Sequence, residues 1–591
     1  MPTRDLTLAM VGSGGDGVVT MGDMMAQAGA RDGLNVIKVE AYGPQIRGGE
    51  SSCTLRMSAD PISAQGDAVD VLVVFNWADF TRFKGEVVPK ADAVILYEAS
   101  DPTPLEDVKI PTATNATWVP VPFVELATKA TGTKAAKNIV TLGILAELFA
   151  IPQESVRKAV EFKFGKKKAG VLEANLKGFA AGREFAGTIG VDVSARRLEY
   201  SISAPKLVMT GNEACAVAAL HAGCRFFAGY PITPSSEVLH FLSEWLPRSG
   251  GRIVQTEDEL SALGAIIGGS FAGVKSMTST SGPGLSLMAE MLGLASMAEI
   301  PVVILDVQRG GPSTGLPTKS EQSDLYMAVF GSHGDAPRIV LAPTDVEDCF
   351  HATVDAFNIA EETQLPVIVL SDQAIGQSRQ TVEKANLVHE VIDRRTPTAE
   401  ELADYKRYAQ TPTGVSPMSV PGTKGGMYQT NGLEHDETAR PASSHVMHEK
   451  MSRKRFQKLA FVEEKYPLYV HLGPEKADVG IVCWGSSKGP VEEAMKELAA
   501  NGVSVSAFVP RIIMPFPKKA FLEYAASVKT LVFLEVNFVG QLYNYLRTLV
   551  DLPAGTRVFT RSGGMNLSVT EVKGRIESVL SEPGVREEVT A

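Results

Sequence analysis

Three stretches of this chain set hydroxyl, carboxyl and guanidinium groups directly after apolar runs. The first, Tyr230-Pro231-Ile232-Thr233-Pro234-Ser235-Ser236-Glu237, follows Arg225-Phe226-Phe227-Ala228-Gly229. The apolar run reads as a strand and the octapeptide as the turn into a helix, with Pro234 suited to the first helical turn and the Ser/Thr side chains to capping it. Free N–H groups at such a helix start hold anions, and in open α/β sheets ligands bind beyond the carboxyl ends of the strands. A plain capped loop explains the octapeptide as well. The second stretch, Gln255-Thr256-Glu257-Asp258-Glu259-Leu260-Ser261-Ala262-Leu263-Gly264-Ala265, places three acids where a strand passes into a helix, a position that answers the helix macrodipole. The third, Gln308-Arg309-Gly310-Gly311-Pro312-Ser313-Thr314-Gly315-Leu316-Pro317-Thr318, leaves another strand end; a lone arginine there more often pairs with a surface acid. A fourth candidate, Gly12-Ser13-Gly14-Gly15-Asp16-Gly17, fits G-x-G-x-x-G between a strand and a helix, with Glu40 placed downstream as a ribose-binding acid would be. It is a nicotinamide-cofactor site or a tight strand-to-helix turn.

These groups need sheets to hold them. Up to about residue 191, short apolar strands at residues 6–11, 36–39, 71–75 and 93–96 alternate with helical patterns, which predicts a parallel sheet. A basic stretch (Lys166-Lys167-Lys168), one more helix and a polar connector at residues 192–205 follow. Residues 206–386 form a second α/β segment with strands at 226–230, 301–306 and 365–370. Residues 387–467 lose periodicity in Pro-, Gly- and Thr-rich text such as Thr411-Pro412-Thr413-Gly414-Val415-Ser416-Pro417, then give a charged helix at 445–463. A long irregular stretch of this kind is functional or wraps a partner. Residues 468–591 read as a third α/β domain, opening with the strand Val479-Gly480-Ile481-Val482-Cys483 and the turn Trp484-Gly485-Ser486-Ser487.

Composition narrows the function. The 591 residues carry a formal net charge of −11 and no extended Lys/Arg block, which argues against nucleic acid as a partner. No apolar run approaches the ~18 residues of a membrane span, and Met1-Pro2-Thr3-Arg4-Asp5 does not open a signal peptide, so a cytoplasmic protein is expected. The five cysteines, Cys53, Cys215, Cys224, Cys349 and Cys483, are scattered without a C-x-x-C pair; they suit small core residues better than a four-cysteine cluster. Gly15-Asp16-Gly17 also opens like the Mg-diphosphate motif of thiamine enzymes, but that motif needs a later Asn, and Asn35, the only Asn before Asn76, is too close. No metal site is assigned to this chain.

Taken together, the strand-end motifs at residues 230–237, 255–265 and 308–318 resemble those of the 2-oxoacid:ferredoxin oxidoreductases. These are thiamine-diphosphate enzymes that convert a 2-oxoacid and CoA into an acyl-CoA, CO2 and reduced ferredoxin. Residues 1 to about 191 look like the family's γ subunit, with signature stretches at residues 12–18 and at Gly43-Pro44-Gln45-Ile46-Arg47-Gly48-Gly49-Glu50-Ser51. Residues from 206 onward look like the α subunit, a pyrimidine-binding domain (206–386) followed by a transketolase C-terminal-like domain (468–591). The γ-then-α order is that of the 2-oxoglutarate branch; pyruvate or a branched 2-oxoacid is the alternative.

The resemblance implies an α/β fold of three domains and assigns roles. Glu259 is the acid that hydrogen-bonds the cofactor's aminopyrimidine, whose imino form deprotonates the thiazolium. Tyr230, Pro231, Ile232 and Thr233 border the cofactor. A 2-oxoacid presents a carboxylate beside a ketone, and Arg309, with Thr233, Thr314 and Thr318, matches the substrate-contact positions. Gly310 and Gly311 allow close backbone approach. Gly12, Gly14, Gly15, Gly17 and Arg47 become candidates for CoA phosphates. Gly432-Leu433-Glu434-His435-Asp436-Glu437 resembles another α-subunit stretch and receives no catalytic role. The family's β subunit, absent from this sequence, carries the Mg2+–diphosphate site and a [4Fe–4S] cluster, so thiamine diphosphate is shared with that partner, CoA is a substrate, ferredoxin accepts electrons, and a dimer of αγ/β units is expected. Two further readings stay open at this level: an NAD-dependent dehydrogenase built on residues 12–17 and Glu40, and a non-catalytic scaffold subunit.

Overall fold

Strands of three to ten residues alternate with helices through most of the chain and collect into three sheets. The computed structural model describes residues 2–43, 49–167 and 170–581. They divide into two units, one of residues up to Met209 together with Ser378–Asn386, the other of Thr210–Gln377 and the residues from Leu387 onward.

The first unit holds an eight-stranded sheet in the order Thr117–Val121, Pro89–Glu98, Val69–Val74, Asp5–Ser13, Glu50–Ser58, Asn35–Tyr42, Arg379–Val382 and Leu207–Thr210. It is mixed, not parallel as the alternating pattern predicts: Glu50–Ser58 runs antiparallel to both Asp5–Ser13 and Asn35–Tyr42. That strand buries Glu50, Ser51, Ser52 and Ser58 beside Cys53, Leu55 and Met57, so its polar composition hides it from a hydrophobicity reading. Helices Val18–Arg31, Lys137–Leu148, Gln153–Phe164 and Val171–Ala186 supply the larger core cluster. Two of them touch backbone to backbone: a Cβ on Gly143 would lie 2.1 Å from the Phe179 carbonyl oxygen, and one on Gly182 would lie 2.0 Å from that of Val140. Trp77, Phe80 and Phe83 anchor a second cluster. The connector at 192–205 contributes Val193 and Leu198 to the core.

The second unit carries a seven-stranded sheet in the order Ile512–Met514, Ile339–Leu341, Pro366–Asp372, Val302–Gln308, Ser276–Thr280, Phe226–Gly229 and Arg252–Gln255. Six strands pair in parallel; Ile512–Met514, from the C-terminal region, runs antiparallel at one edge. A five-stranded sheet, Tyr469–Leu472, Val505–Pro510, Ala477–Val482, Val528–Glu535 and Arg557–Thr560, shares its core with the seven-stranded sheet through one cluster that includes Ile304, Leu370, Trp484 and Phe533. The inner strands are buried on both faces, as parallel sheets covered by helices must be.

Residues 387–444, which lack periodicity, contain little regular structure beyond the short turn Glu401–Asp404, and the helix His445–Lys465 follows. This segment wraps its own unit through buried charge. Arg394 meets Glu361 at 2.7 Å, Lys454 and Lys458 both reach Glu299 at 2.6 Å, and Arg407 donates to the Glu299 carbonyl at 2.6 Å. Removing one partner from such a set leaves a buried charge uncompensated, which costs about 3–5 kcal/mol.

Candidate active site

Each strand-end motif of the second unit lies at a carboxyl end of the parallel sheet. Phe226–Gly229 stops at Gly229 and the chain turns through Tyr230 into the helix Ser236–Trp245. Thr233–Pro234 is a cis peptide bond. The expected hydroxyl cap does not form: Ser235, at the N-cap, donates instead to the Ile232 carbonyl at 3.2 Å. Asn212 braces the turn, donating to the Pro234 carbonyl at 3.0 Å and to Glu237 at 3.1 Å. Tyr230, Pro231 and Thr233 are left exposed and Ile232 half-buried.

The second wall starts where Arg252–Gln255 ends. Asp258 caps the helix Glu259–Phe271, its side chain accepting from the Ser261 N–H at 2.7 Å, and this hydrogen bond holds its carboxyl below the usual range. Glu257 points to solvent. Glu259 differs from both: it is 5% exposed, and its carboxylate makes no hydrogen bond or ion pair among the described residues. What it faces is Gly284. A Cβ there would lie 2.0 Å from Thr280 Oγ1, 2.6 Å from Glu259 Cγ and 2.7 Å from Glu259 Oε1. Only a glycine lets the turn after Ser276–Thr280 pass this close to the acid.

Arg309 follows the central strand Val302–Gln308 and is 7% exposed. Its Nη1 donates to the Thr233 carbonyl at 2.6 Å, joining two loops 76 residues apart, while its Nε has no partner among the described residues. Burial lowers its pKa, and the Asp324 charge opposes that shift. The loop beyond closes on itself: Leu316 N–H donates to the Gly310 carbonyl at 2.8 Å, and Gly310 N–H to the Lys319 carbonyl at 2.9 Å. Gly310 packs on Leu316, whose Cβ would lie 3.0 Å from an added Cβ, whereas one on Gly311 would meet only Ser323 Oγ, at 4.0 Å. Thr314 and Thr318 are exposed on this loop.

Sequence reasoning missed a set of residues behind these walls. Thr280, Ser281, Gly282 and Gly284 form another strand-to-helix turn, and a Cβ on Gly282 would lie 2.5 Å from Asp324 Oδ1. Asp306 sits inside the central strand. Its signal was visible as one acid in the run Val302-Val303-Ile304-Leu305-Asp306-Val307, since buried carboxylates need a reason.

In the first unit the turn at Gly12-Ser13-Gly14-Gly15-Asp16-Gly17 is tied to itself and its neighbours. Ser13 N–H donates to Asp16 Oδ2 at 3.0 Å, Gly14 N–H to the Gly49 carbonyl at 2.7 Å, and Asp16 pairs with Lys137 at 2.9 Å. Gly17, at φ +78°, packs against Asn138. Glu40 is engaged by Lys38 and Tyr42. A pyrophosphate cradle needs free N–H groups and a free ribose acid; with an acid already accepting from the turn and Glu40 occupied, the dinucleotide reading does not fit. Gly14 and Gly15 form the exposed edge of the turn. Arg47 lies outside the described residues. Glu434, from the stretch at 432–437, accepts from Arg455 at 2.9 Å and from His448 at 2.6 Å, a surface-anchoring role. Among the described residues no group of three or more His, Cys, Asp or Glu side chains converges as a metal site, and no helix is long and apolar enough to cross a membrane. All five cysteines are buried and free.

Three family models cover most of the chain. Residues 7–185 match pyruvate ferredoxin/flavodoxin oxidoreductase, residues 217–454 the thiamine-diP-binding domain of pyruvate flavodoxin/ferredoxin oxidoreductase, and residues 477–572 core domain II of pyruvate:ferredoxin oxidoreductase. Subunit alpha of 2-oxoacid:ferredoxin oxidoreductase 2 from Aeropyrum pernix is 31% identical, covering 98% of each chain. The 2-oxoglutarate synthase subunit KorA of Methanothermobacter marburgensis is 40% identical over 60% of this chain and 94% of its own. Among solved structures, the 2-oxoglutarate:ferredoxin oxidoreductase from Magnetococcus marinus, with 2-oxoglutarate, coenzyme A and succinyl-CoA bound, superposes with a TM-score of 0.92 at 38% identity, over 98% of this chain and 99% of that one.

Proposed function

Because the chain belongs to the 2-oxoacid:ferredoxin oxidoreductases, as an α subunit preceded by a γ-like domain, we propose that it is the αγ chain of a 2-oxoglutarate:ferredoxin oxidoreductase. Its reaction takes 2-oxoglutarate, CoA and oxidised ferredoxin to succinyl-CoA, CO2 and reduced ferredoxin. The 2-oxoglutarate assignment is supported by the relatives and the bound ligands named above.

The observation that carries the reading is Glu259, a buried carboxylate without a protein partner, opposite a glycine that keeps the space beside it clear. The donor and acceptor chemistry fits a thiamine-diphosphate pyrimidine. When bound, that cofactor supplies the carbon nucleophile and the electron sink of the reaction. Glu259 holds the proton at the pyrimidine N1′, and burial keeps water from competing for it. Tyr230, Pro231, Ile232 and Thr233 border the ring. Arg309, steadied through the Thr233 carbonyl, turns its remaining N–H groups to the substrate carboxylate, and Thr233, Thr314 and Thr318 offer hydroxyls to the rest of the 2-oxoacid. In the first unit the same reading keeps Gly15, on the exposed edge of the turn, and Arg47 as candidates for CoA phosphates, while Gly12, Gly14 and Gly17 serve the turn itself. Mg2+ and a [4Fe–4S] cluster belong in this reading to a β subunit, and the assembly to a dimer of αγ/β units.

The purified chain alone should then be inactive, and a β partner should restore CoA-dependent viologen reduction with 2-oxoglutarate in preference to pyruvate or branched 2-oxoacids. Glu259→Ala should abolish turnover in the assembled complex. Retained turnover in that variant would remove the acid role from Glu259.

A further inference from the structure

The central strand Val302–Gln308 carries an acid where a parallel sheet is driest. Asp306 is 0% exposed, lies in register with Thr280 on one side and Leu370 on the other, and has no hydrogen-bond partner for either carboxylate oxygen among the described residues. An ionised carboxylate in that setting is strongly disfavoured, so Asp306 holds a proton at rest. Burial, then the Asp324 charge, push its pKa well above the usual carboxylate range.

Asp324 is the second acid. Its Oδ1 lies over Gly282, its Oδ2 is enclosed without a partner, and its N–H donates to Gln308 at 3.0 Å. Burial raises its pKa, Arg309 pulls it back, and Glu321 pushes it up. The other nearby acids are accounted for: Glu321 accepts from the Gly563 N–H at 2.9 Å, and Asp372, the register partner of Gln308, accepts from Ile375, Ser486 and Gln322. Glu259 stands beyond Thr280. Geometry brings the acids together: Asp306 lies in register with Thr280, Asp324 Oδ1 covers Gly282 two residues beyond it, and Gln308, two residues after Asp306 on the same strand, accepts from the Asp324 N–H. The Asp324 charge also acts on Arg309, whose Nη1 is held by the Thr233 carbonyl.

We infer that Asp306 and Asp324 form a proton-holding pair behind Arg309, which takes up a proton from solvent when a 2-oxoacid carboxylate docks on that arginine. This rests on the reading of Arg309 given above. At rest the pair holds one proton, on Asp306, and one negative charge, on Asp324, which acts on Arg309 through space. An incoming carboxylate puts two anions against one guanidinium inside a buried site, and protonating Asp324 relieves the excess. No bond is made or broken in the substrate; the balance is one carboxylate and one solvent proton in, one neutral acid formed. The pair thus sets the charge that Arg309 offers, as positioning residues, without touching substrate.

The test is calorimetric titration of the assembled complex with N-oxalylglycine, a 2-oxoacid-shaped ligand that cannot be decarboxylated, in buffers of different ionisation enthalpy. Near neutral pH the dependence of the heat on the buffer should report uptake of up to about one proton per site. Asp324→Asn, which keeps shape and volume, should bind the ligand with uptake close to zero. Asp306→Asn, which replaces an acid already neutral at rest by a neutral amide, should leave the uptake by Asp324 in place, and its loss there would put the proton elsewhere. Saturable binding with no proton linkage in the unaltered complex, or undiminished uptake in Asp324→Asn, would overturn the pair and leave the 2-oxoacid site standing. Absence of saturable binding in the unaltered complex would overturn both.

Discussion

Gly284→Ala isolates the space between Glu259 and Thr280. The added Cβ would lie 2.0 Å from Thr280 Oγ1 and 2.6 Å from Glu259 Cγ. Ordinary contact is about 3.5 Å, so the hydroxyl and the carboxylate must give way by roughly 1 Å or more. Neither has room. Thr280 is wholly buried on an inner strand and Glu259 is fixed at the start of a helix. The backbone opposes nothing, since Gly284 has no positive φ. Overpacking of this kind costs about 1–3 kcal/mol, and the higher helix propensity of alanine returns about 1 kcal/mol, for a net loss of about 0–2 kcal/mol. That is small enough for the variant to fold. Activity should suffer more, because a displacement of about 1 Å at a reacting group lowers rates about 100-fold. Gly268→Ala is the internal control: the same helix as Glu259, an exposed position, and nothing within 4 Å of its added Cβ. It should gain up to about 1 kcal/mol and keep full activity. The assay is steady-state reduction of viologen by the complex with β, read as kcat beside KM, with thermal denaturation run in parallel. Wild-type kcat in Gly284→Ala at the expected stability would refute the claim that this gap positions Glu259.

Arg309→Lys keeps the charge but loses the planar fork that serves the Thr233 carbonyl and a carboxylate together; with about 1.5–3 kcal/mol per charged hydrogen bond, kcat/KM should fall roughly 10- to 100-fold. Unchanged kcat/KM would place the carboxylate elsewhere. Lys458 is a pH reporter for the connector: burial pushes its pKa down to about 7 although Glu299 raises it. Above that value the unfolded lysine, titrating near about 10.4, still binds a proton that the folded one has released, so stability should rise with pH across this window. Denaturant midpoints of the unaltered chain should climb relative to Lys458→Met from neutral to alkaline pH, and parallel curves would show that Lys458 keeps its proton.

The strand-end motifs were legible because their signals are local. An apolar run that stops at a turn residue and an acid in a first helical turn are set by neighbours in sequence, which is why residues 230–237, 255–265 and 308–318 all fall at carboxyl ends of one sheet. Glu50–Ser58 escaped notice for the complementary reason: a strand whose serines are buried by tertiary packing carries little periodic signal, and without it the first sheet reads as parallel.

The sequence by itself determined the α/β class, the division into γ-like and α-like parts, and the identity of Glu259 and Arg309 as candidates. Tertiary structure alone decided what those side chains meet. Whether residues 12–17 keep their N–H groups free or spend them on Asp16 and Gly49 is a matter of loop closure. The grip of Arg309 on Thr233 spans 76 residues, and the irregular connector is held by lysines that find Glu299 more than 150 residues away. Asp324 comes to the end of the central strand that carries Asp306 only because Gly282 leaves room for its carboxylate and Gln308 accepts from its N–H. Electrostatic pairing and burial act through space, between groups whose separation along the chain carries no periodicity, and so they are fixed only when the sheet closes.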